Sequence, residues 1–236
     1  MPVSIIIPML NEEAELPALL DSLGTLGGHP EILFVDGGSR DRGPALARQA
    51  GYSVVDSPPG RALQMNRGAL ETRGEVLVFL HADSRLPADS LRAIDAAMSD
   101  PAVVGGRLDL VYEGAEWPYP WIARLGNLRS RLTKIFTGDQ TIFVRRAAFD
   151  AVGGYPEIPL MEDIELSRRL KRLGRVACLH APVAGSTRKW RREGVWRTIG
   201  LMWLFRCLYA LGAQPESLHR LYYGRDPAKQ PPSTAA

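Results

Sequence analysis

The sequence has few cysteines and little excess charge. Only 2 of its 236 residues are cysteines, Cys178 and Cys207, and neither has the Cys-x-x-Cys or Cys/His spacing of a zinc site or a disulfide framework. The 29 lysines and arginines exceed the 26 aspartates and glutamates by only 3, which is too small an excess to predict a nucleic-acid partner. We therefore expect a protein of a reducing compartment that does not bind nucleic acid.

The sequence also lacks a long apolar segment. The apolar run at residues 3–7 is shorter than the core of a secretory signal and follows no basic residue. The most apolar late stretch, residues 195–213, is interrupted by Arg197 and Arg206, so it predicts an amphipathic helix that closes the core. A surface membrane anchor is the alternative for this helix. We expect a cytoplasmic protein without membrane contact.

The first half of the chain alternates short apolar runs with segments of helical periodicity. The apolar runs predict buried strands at residues 3–7, 32–35, 52–55 and 76–80. The intervening segments predict helices at residues 16–23, 45–50, 60–72 and 87–98. Pro8 is expected to end the pairing of the first strand, because it has no N–H to donate. Such alternation predicts an α/β fold, with a Rossmann-like, mostly parallel central sheet and helices on both faces.

The second half is less regular. It predicts strands at residues 103–112, 141–144 and 176–179, and helical segments at residues 117–134 and 161–173. Leu166, Leu170 and Leu173 recur at helical spacing and are expected to face inward. We expect a single domain over residues 1–226 that ends in helices, followed by a flexible tail at residues 227–236.

Polar side chains follow several of the predicted strands or begin a helix. In open α/β sheets, ligands bind at the carboxyl ends of the strands. These polar clusters are Asn11 with Glu12, residues 36–41, His81 with Asp83, and Glu162 with Asp163. Neither a G-x-G-x-x-G nor a G-K-[ST] motif is present, which excludes the usual dinucleotide and P-loop fingerprints.

Each polar cluster has a structural explanation as well as a functional one. His81 and Asp83 lie two residues apart on an extended segment, so both side chains can point to one side and bind a cation. Together they could hold Mg²⁺ or Mn²⁺ if a diphosphate supplied further oxygens. Asp83 could instead begin the turn into the next helix. Glu162 and Asp163 could simply complement the dipole of their helix, and residues 36–41 could be only a turn between a strand and a helix.

A basic run near the end of the chain has the same ambiguity. Arg188, Lys189, Arg191 and Arg192 surround Trp190. Guanidinium groups pair with phosphate oxygens in a fork, so this run could clamp a phosphate. A solvated surface run is the alternative.

In this order the clusters resemble the family-2 glycosyltransferases, which are inverting nucleotide-sugar enzymes with a GT-A fold. The matching segments are residues 4–12, 35–41, 60–69, 74–83 and 161–170. The chain departs from the family in having Asp36-Gly-Gly-Ser for Asp-Asp-Gly-Ser and His81-Ala-Asp for Asp-x-Asp. These departures, with residues 60–66, 138–140 and 188–190, are similar to a subgroup associated with arsenosugar and selenosugar biosynthesis.

The resemblance implies a UDP-sugar donor, UDP-N-acetylglucosamine, bound by residues 1–110. The donor-binding residues that it implies are Pro8, Asn11, Glu12, Asp36, Arg61, Asn66, His81, Ala82 and Asp83. Asp83, with His81 as a helper, would hold Mg²⁺ or Mn²⁺ between the phosphates. Asp163 would be the general base, with Glu162 beside it.

The resemblance also implies that residues 111–226 bind the acceptor. The acceptor-binding residues that it implies are Gly138, Asp139, Gln140, Arg188, Lys189 and Trp190. The subgroup implies selenophosphate as a small anionic acceptor, converted into a selenosugar. The basic run, with Arg129 or Arg131, would then offset its repulsion from the diphosphate.

Two other functions remain open at this point. The chain could act on a polyprenyl phosphate or another lipid or hydroxyl acceptor, or it could bind a nucleotide sugar without turning it over. The oligomeric state is also open, a homodimer included.

Overall fold

The computed structural model of the chain describes residues 1–112 and 116–224. Their strands form one sheet in the order β3-β2-β1-β4-β7-β6-β8-β5. The strands are β1 (Val3–Met9), β2 (Glu31–Asp36), β3 (Ser53–Asp56), β4 (Val76–Phe79), β5 (Ser84–Arg85), β6 (Val103–Tyr112), β7 (Ile142–Arg145) and β8 (Arg175–Gly185).

Helices follow most of the strands and make up the end of the described chain. They are α1 (Leu16–Gly24), α2 (Gly43–Gln49), α3 (Arg61–Glu71), α4 (Ser90–Met98), α5 (Tyr119–Thr133), α6 (Arg146–Ala151), α7 (Glu162–Leu173), α8 (Arg188–Glu193), α9 (Val195–Ala210) and α10 (Pro215–Tyr223), with a 3₁₀ turn at Gly138–Gln140. The tail predicted at residues 227–236, and the domain end predicted at residue 226, lie outside the described residues.

The first four strands run parallel. β1 pairs with β2 and β4, and β2 pairs with β3. The expectation that Pro8 ends β1 is wrong, because the register with β2 continues through Pro8 to Met9. On the other side of β1, which Pro8 faces together with Ile6, the pairing with β4 already ends at Ile6. The missing N–H of Pro8 therefore interrupts no ladder.

The later strands mix both directions. β7 lies antiparallel between β4 and β6, β8 is parallel to β6, and the short β5 is antiparallel to β8. β8 is longer than residues 176–179 because it pairs with β6 again after a register shift between Arg107 and Asp109. The predicted α/β fold with a mostly parallel sheet is confirmed, and the antiparallel β7 accounts for the less regular second half.

Helices cover both faces of the sheet. One core cluster contains Leu19 of α1 and Ile94 of α4, and the other contains Met65 of α3 and Leu166 of α7. α3 lies close to the sheet, because a methyl group at Gly68 would collide with Ile6 of β1. The predicted arrangement of helices on both faces is confirmed.

Two expectations for the helices are wrong. Leu173, the last residue of α7, is exposed to solvent instead of facing inward. In α9, only Thr198 and Phe205 are buried, while Trp196 and Trp203 are more than half exposed. Apolar residues lie all around α9, so it is not the amphipathic helix that closes the core. Several of its apolar side chains, including Trp196 and Trp203, are therefore exposed and available to contact a ligand or a partner.

Candidate active site

Five charged or titratable side chains from separate parts of the chain meet at one edge of the sheet. We call them the charged cluster: Arg61, His81, Asp83, Glu162 and Asp163. Arg61 begins α3, His81 and Asp83 follow β4, and Glu162 begins α7. Their charges act on one another. Crowding by protein atoms lowers the pKa of Arg61, but the negative charges around it, that of Glu162 above all, raise the pKa by more.

Glu162 is the most deeply buried acid of the charged cluster, with 7% of its surface exposed. Burial and the neighbouring carboxylate of Asp163 raise its pKa to about 7, although Arg61 opposes this shift. A protein interior disfavours a charged carboxylate, and so does a second carboxylate nearby. Glu162 can therefore take up or release a proton near neutral pH.

His81 is held as a neutral imidazole. Desolvation and the charge of Arg61 lower its pKa, against the opposing charges of Asp83, Asp139 and Asp163. The ring packs against Gly138, where a Cβ atom would collide with Nε2. The next residue, Ala82, is buried. A neutral ring is the form that can bind a metal ion.

Asp163 connects α7 to the 3₁₀ turn. Its Oδ2 accepts the backbone N–H of Gly138 at 3.0 Å, and its Oδ1 accepts the N–H of Ile164 at 2.7 Å. Both oxygens thus have a protein donor, and the carboxylate fixes the turn beside His81. The acid on that turn is different, because Oδ1 of Asp139 is buried without a hydrogen-bond partner among the described residues.

Two of the predicted binding residues use their amide groups within the protein. Both polar atoms of the Asn66 side chain pair with the backbone of Tyr155, each at 2.9 Å. Gln140 is buried and donates to Asn127 and Ser130, each at 3.0 Å. Asn66 and Gln140 therefore hold neighbouring parts of the protein together. A contact of either side chain with a ligand stays a prediction.

The ends of β1 and β2 form a hydrogen-bonded unit. Asp36 accepts the N–H of Ser39 at 3.1 Å and its hydroxyl at 2.5 Å. The hydroxyl oxygen of Ser39 accepts the N–H of Asn11 at 3.0 Å. Gln64 of α3, which the sequence analysis does not single out, donates to the carbonyl oxygens of Met9 at 2.9 Å and Val35 at 2.8 Å. Its place in the segment 60–66 was the available signal.

Two neighbouring cations of the basic run have different partners, and a role of the run in binding an anion stays a prediction. Arg188 pairs with Glu12 at 2.6 Å and lies 3.5 Å from Glu15, on the side of the site where the donor is expected. Burial raises the pKa of Glu12, although Arg188 opposes the shift. The ammonium of Lys189 lies over the ring of Tyr222. Arg188 and Lys189 are neighbours in the sequence, but their charged groups contact different parts of the fold.

Trp190, in the middle of the basic run, is buried against Tyr112 of β6. Its indole N–H donates to the hydroxyl of Tyr112 at 2.9 Å, and its ring is buried. Arg131, which the sequence analysis offers as an alternative to Arg129, pairs with Asp109 at 2.6 Å. Both side chains therefore contact residues of β6, and the binding of an acceptor by Trp190 stays a prediction.

A groove that the sequence analysis does not predict lies between α5 and α9. Its volume is about 440 Å³, which is within the usual range of small-molecule sites. Its lining includes Tyr112, Arg129, Asp139, Trp190 and Arg206. The groove therefore reaches from the two helices to the 3₁₀ turn that contacts Asp163 and His81.

The donor set of the site fits a cation shared with a diphosphate. Among residues 1–112 and 116–224, no group of three or more His, Cys, Asp or Glu side chains could hold a metal ion by itself. Asp83 and His81 offer one carboxylate and one neutral imidazole. Mg²⁺ and Mn²⁺ accept such ligands when a substrate phosphate completes the coordination.

Within residues 1–112 and 116–224, no helix is both long enough and apolar enough to span a bilayer.

The sequence model of glycosyl transferase family 2 matches residues 4–153. The undecaprenyl-phosphate 4-deoxy-4-formamido-L-arabinose transferase of Pseudomonas paraeruginosa is 35% identical over 139 residues, which cover 53% of this chain and 40% of that protein. The chain spans about half the length of the curated relatives it matches.

Solved structures show the same fold. The mannosyltransferase PcManGT from Pyrobaculum calidifontis, in complex with GDP-Man and Mn²⁺, has a TM-score of 0.68 at 21% identity, covering 98% of this chain and 66% of that one. S. aureus TarS in complex with UDP-GlcNAc has a TM-score of 0.64 at 19% identity, covering 79% of this chain and 58% of that one. At these identities the likeness concerns the fold alone.

Proposed function

Since the chain belongs to glycosyl transferase family 2 and has the GT-A fold, we propose that it transfers a sugar from a uridine diphosphate sugar to an anionic acceptor, with inversion. The observation that carries this proposal is the charged cluster. Its members come from α3, the end of β4 and α7, and their charges act on one another. A guanidinium and a pair of metal ligands at the carboxyl ends of parallel strands suit a sugar diphosphate.

The donor lies over the ends of β1, β2 and β4 in this proposal. Asp36 and Asn11 face the uridine, and Arg61 meets the diphosphate. Asp83 and His81 would hold Mg²⁺ or Mn²⁺, which would neutralise the charge that grows on the departing UDP. Mn²⁺ accompanies the nucleotide sugar in the mannosyltransferase of similar fold.

Asp163 is the general base in this proposal if the acceptor is a hydroxyl. An acceptor hydroxyl would give up its proton to a carboxylate within hydrogen-bond reach. A phosphate or selenophosphate acceptor already carries its negative charge, so it needs little help from a base. For such an acceptor, the main task of Asp163 is to hold the 3₁₀ turn through the N–H of Gly138.

Two anionic acceptors are candidates. Selenophosphate, with N-acetylglucosamine as the sugar, is supported by the resemblance of residues 60–66, 138–140 and 188–190 to the selenosugar subgroup. A polyprenyl phosphate is supported by the Pseudomonas relative, whose name gives undecaprenyl phosphate as its acceptor. The apolar groove beside the charged cluster also favours the lipid.

The test is to incubate the protein and Mn²⁺ with a panel of UDP-sugars and with either selenophosphate or a short isoprenyl phosphate. Mass spectrometry of the products identifies the donor and the acceptor. We expect a glycosylated acceptor and free UDP, lost in Asp83→Asn and retained in the control Asp89→Asn, whose side chain is exposed. UDP-sugar binding without any product would favour the non-catalytic alternative, and absence of both would refute the proposal.

A further inference from the structure

The groove between α5 and α9 has apolar walls that no other part of the described chain covers. Leu125, Leu128 and Leu132 of α5 face it from one side, and Met202 and Trp203 of α9 face it from the other. All three leucines and Trp203 are more than half exposed. Contiguous exposed apolar side chains beside a catalytic site indicate a ligand or a partner with apolar groups.

Two arginines lie in this apolar groove. Arg129 and Arg206 both line it and both are half-buried. Burial and the nearby charge of Arg206 lower the pKa of Arg129 to about 10, so the two guanidinium groups are close but still charged at neutral pH. Neither arginine forms an ion pair with a carboxylate of the described residues. Holding like charges together in apolar surroundings costs free energy, which an anion bound between them would offset.

The groove is connected to the charged cluster through the 3₁₀ turn, whose Asp139 and Gln140 line it. Asp139 lines the groove and sits on the 3₁₀ turn that Asp163 and His81 hold. Its charge acts on His81 and on Arg129, so Asp139 lies near both the charged cluster and the arginines. An anionic group at Arg129 and Arg206 would therefore lie next to the reacting sugar.

We propose that this groove is the acceptor site and that its occupant is an amphiphile, a long-chain alkyl or isoprenyl monophosphate. The hydrocarbon chain lies between α5 and α9, and the phosphate meets Arg129 and Arg206. This inference rests on the proposed function. A phosphate oxygen attacks the anomeric carbon while the bond from that carbon to the β-phosphate oxygen of the donor breaks, and UDP leaves with the electron pair. No redox partner is needed.

Two other occupants explain less of the groove. A small inorganic anion such as selenophosphate would satisfy the arginines but would leave the apolar walls uncovered. A second copy of this chain would cover the walls but would have to bring a carboxylate to the arginines. The amphiphile accounts for both the charge and the apolar surface.

The experiment measures binding without a donor sugar. Octyl phosphate, butyl phosphate and octanol, kept below their aggregation concentrations, are titrated into the full chain by calorimetry. Each added methylene is expected to tighten binding about fourfold, so octyl phosphate should bind at least tenfold more tightly than butyl phosphate. Octanol tests whether the phosphate matters, and inorganic phosphate tests whether the chain matters.

Two pairs of variants locate the site. Arg206→Gln is expected to weaken the binding of octyl phosphate about tenfold without affecting octanol, whereas Arg92→Gln, at an exposed side chain of α4, changes neither. Leu132→Asp is expected to abolish the dependence on chain length, whereas Leu70→Asp, at an exposed leucine of α3, preserves it. Circular dichroism checks that each variant is folded.

The outcomes separate this inference from the proposed function. If UDP with Mn²⁺ binds but octyl phosphate binds no better than inorganic phosphate, the groove proposal fails and the transferase proposal stands. The same holds if light scattering shows a dimer that Leu132→Asp dissociates, because a second copy then covers the groove. If neither UDP nor octyl phosphate binds, both proposals fail.

Discussion

At the end of β2, the amide of Gln64 takes up the space beside Gly37. A Cβ atom at Gly37 would lie 3.1 Å from the amide atoms of Gln64. That amide joins the ends of β1 and β2 by donating to Met9 and Val35. The family that the sequence resembles has an aspartate where this chain has Gly37. A glycine at position 37 therefore leaves room for the buried amide of Gln64, which accounts for one departure from the family pattern.

A side chain at Gly37 should destabilise the protein. Gly37→Asp is expected to lower the free energy of unfolding by about 1–3 kcal/mol, because the new side chain displaces the amide of Gln64. Urea denaturation measures the change. Gly27→Asp is the control, since nothing lies within 4 Å of a Cβ atom there. The explanation fails if the loss caused by Gly37→Asp is the same in a Gln64→Ala background.

The buried Glu162 should make stability depend on pH. Its pKa is raised from 4.5 to about 7 in the folded protein, so the folded state binds this proton more tightly than the unfolded state. Its contribution to stability is therefore fully present below about pH 4.5 and is lost as the pH rises through about 7, by about 3 kcal/mol.

The prediction is that Glu162→Gln gains stability relative to the native protein between pH 5 and pH 8, because glutamine has no proton to lose. Urea denaturation at both pH values measures the difference. Glu157→Gln is the control at an exposed position and should show no such gain. A Glu162→Gln effect of equal size at pH 5 and pH 8 would show that the burial of this carboxylate is not the cause.

The sequence indicates the acids of the site better than it indicates the cations. Asp83 and Asp163 lie where a strand ends or a helix begins, and the sheet brings such positions to one edge. Arg129 is predicted only as an alternative to Arg131, and Arg206 is not predicted to bind a ligand, because a single arginine within a helix has no local signal. Their proximity depends on how α5 and α9 pack, which is a contact between distant parts of the chain.

At the scale of elements, the 3₁₀ turn links α7 to the segment after β4. Asp163 of α7 accepts the N–H of Gly138 in the turn, and Gly138 packs against the ring of His81. The position of the His81 imidazole thus depends on the absence of a side chain at Gly138. The start of α7 and the segment that carries His81 and Asp83 should therefore move together.

Gly138→Ala tests this link. The added methyl group would collide with the His81 ring and displace it from Asp83, so we expect UDP to bind about tenfold more weakly in the presence of Mn²⁺. Calorimetry measures the affinity. Gly24→Ala is the matched control, because the space beside Gly24 is open. If the affinity is unchanged in Gly138→Ala, His81 does not contribute to holding the nucleotide.

Helix α9 shows what periodicity alone does not determine. The two arginines that interrupt residues 195–213 suggest a polar face, yet apolar side chains lie on every side of the helix. Whether an apolar side chain of α9 faces the core or a groove is decided by the position of α5. The sequence therefore predicts the helix but not what it covers.

At the scale of the whole molecule, the reversal of strand direction builds the site. β7 pairs antiparallel with β4, and Ile142 lies opposite Phe79. The 3₁₀ turn that enters β7 therefore lies beside the segment that leaves β4 and carries His81 and Asp83. The sequence predicts both strands, but their adjacency and direction are set by long-range pairing, so the contact between Gly138 and His81 is visible only in the fold.

The fold also divides the arginines between two sides of the site. Arg188 pairs with Glu12, in the loop that follows β1, and its charge interacts with Asp83. Arg206 lies across the site in the groove between α5 and α9. In the proposed function, one cation therefore serves the donor side and another the acceptor side, whereas the sequence predicts that Arg188 binds the acceptor.

This division predicts opposite kinetic effects of two similar substitutions. Arg188→Ala should raise the KM for the UDP-sugar about tenfold with little change for the acceptor, because it leaves the partly buried carboxylate of Glu12 unpaired beside the diphosphate. Arg206→Ala should raise the KM for an alkyl phosphate acceptor by a similar factor and leave the donor unaffected. Arg92→Ala, at an exposed position, should change neither. Steady-state kinetics with each substrate varied in turn measures all three. If Arg188→Ala weakens the acceptor instead, the basic run binds the acceptor after all, and the assignment of the two sides is wrong.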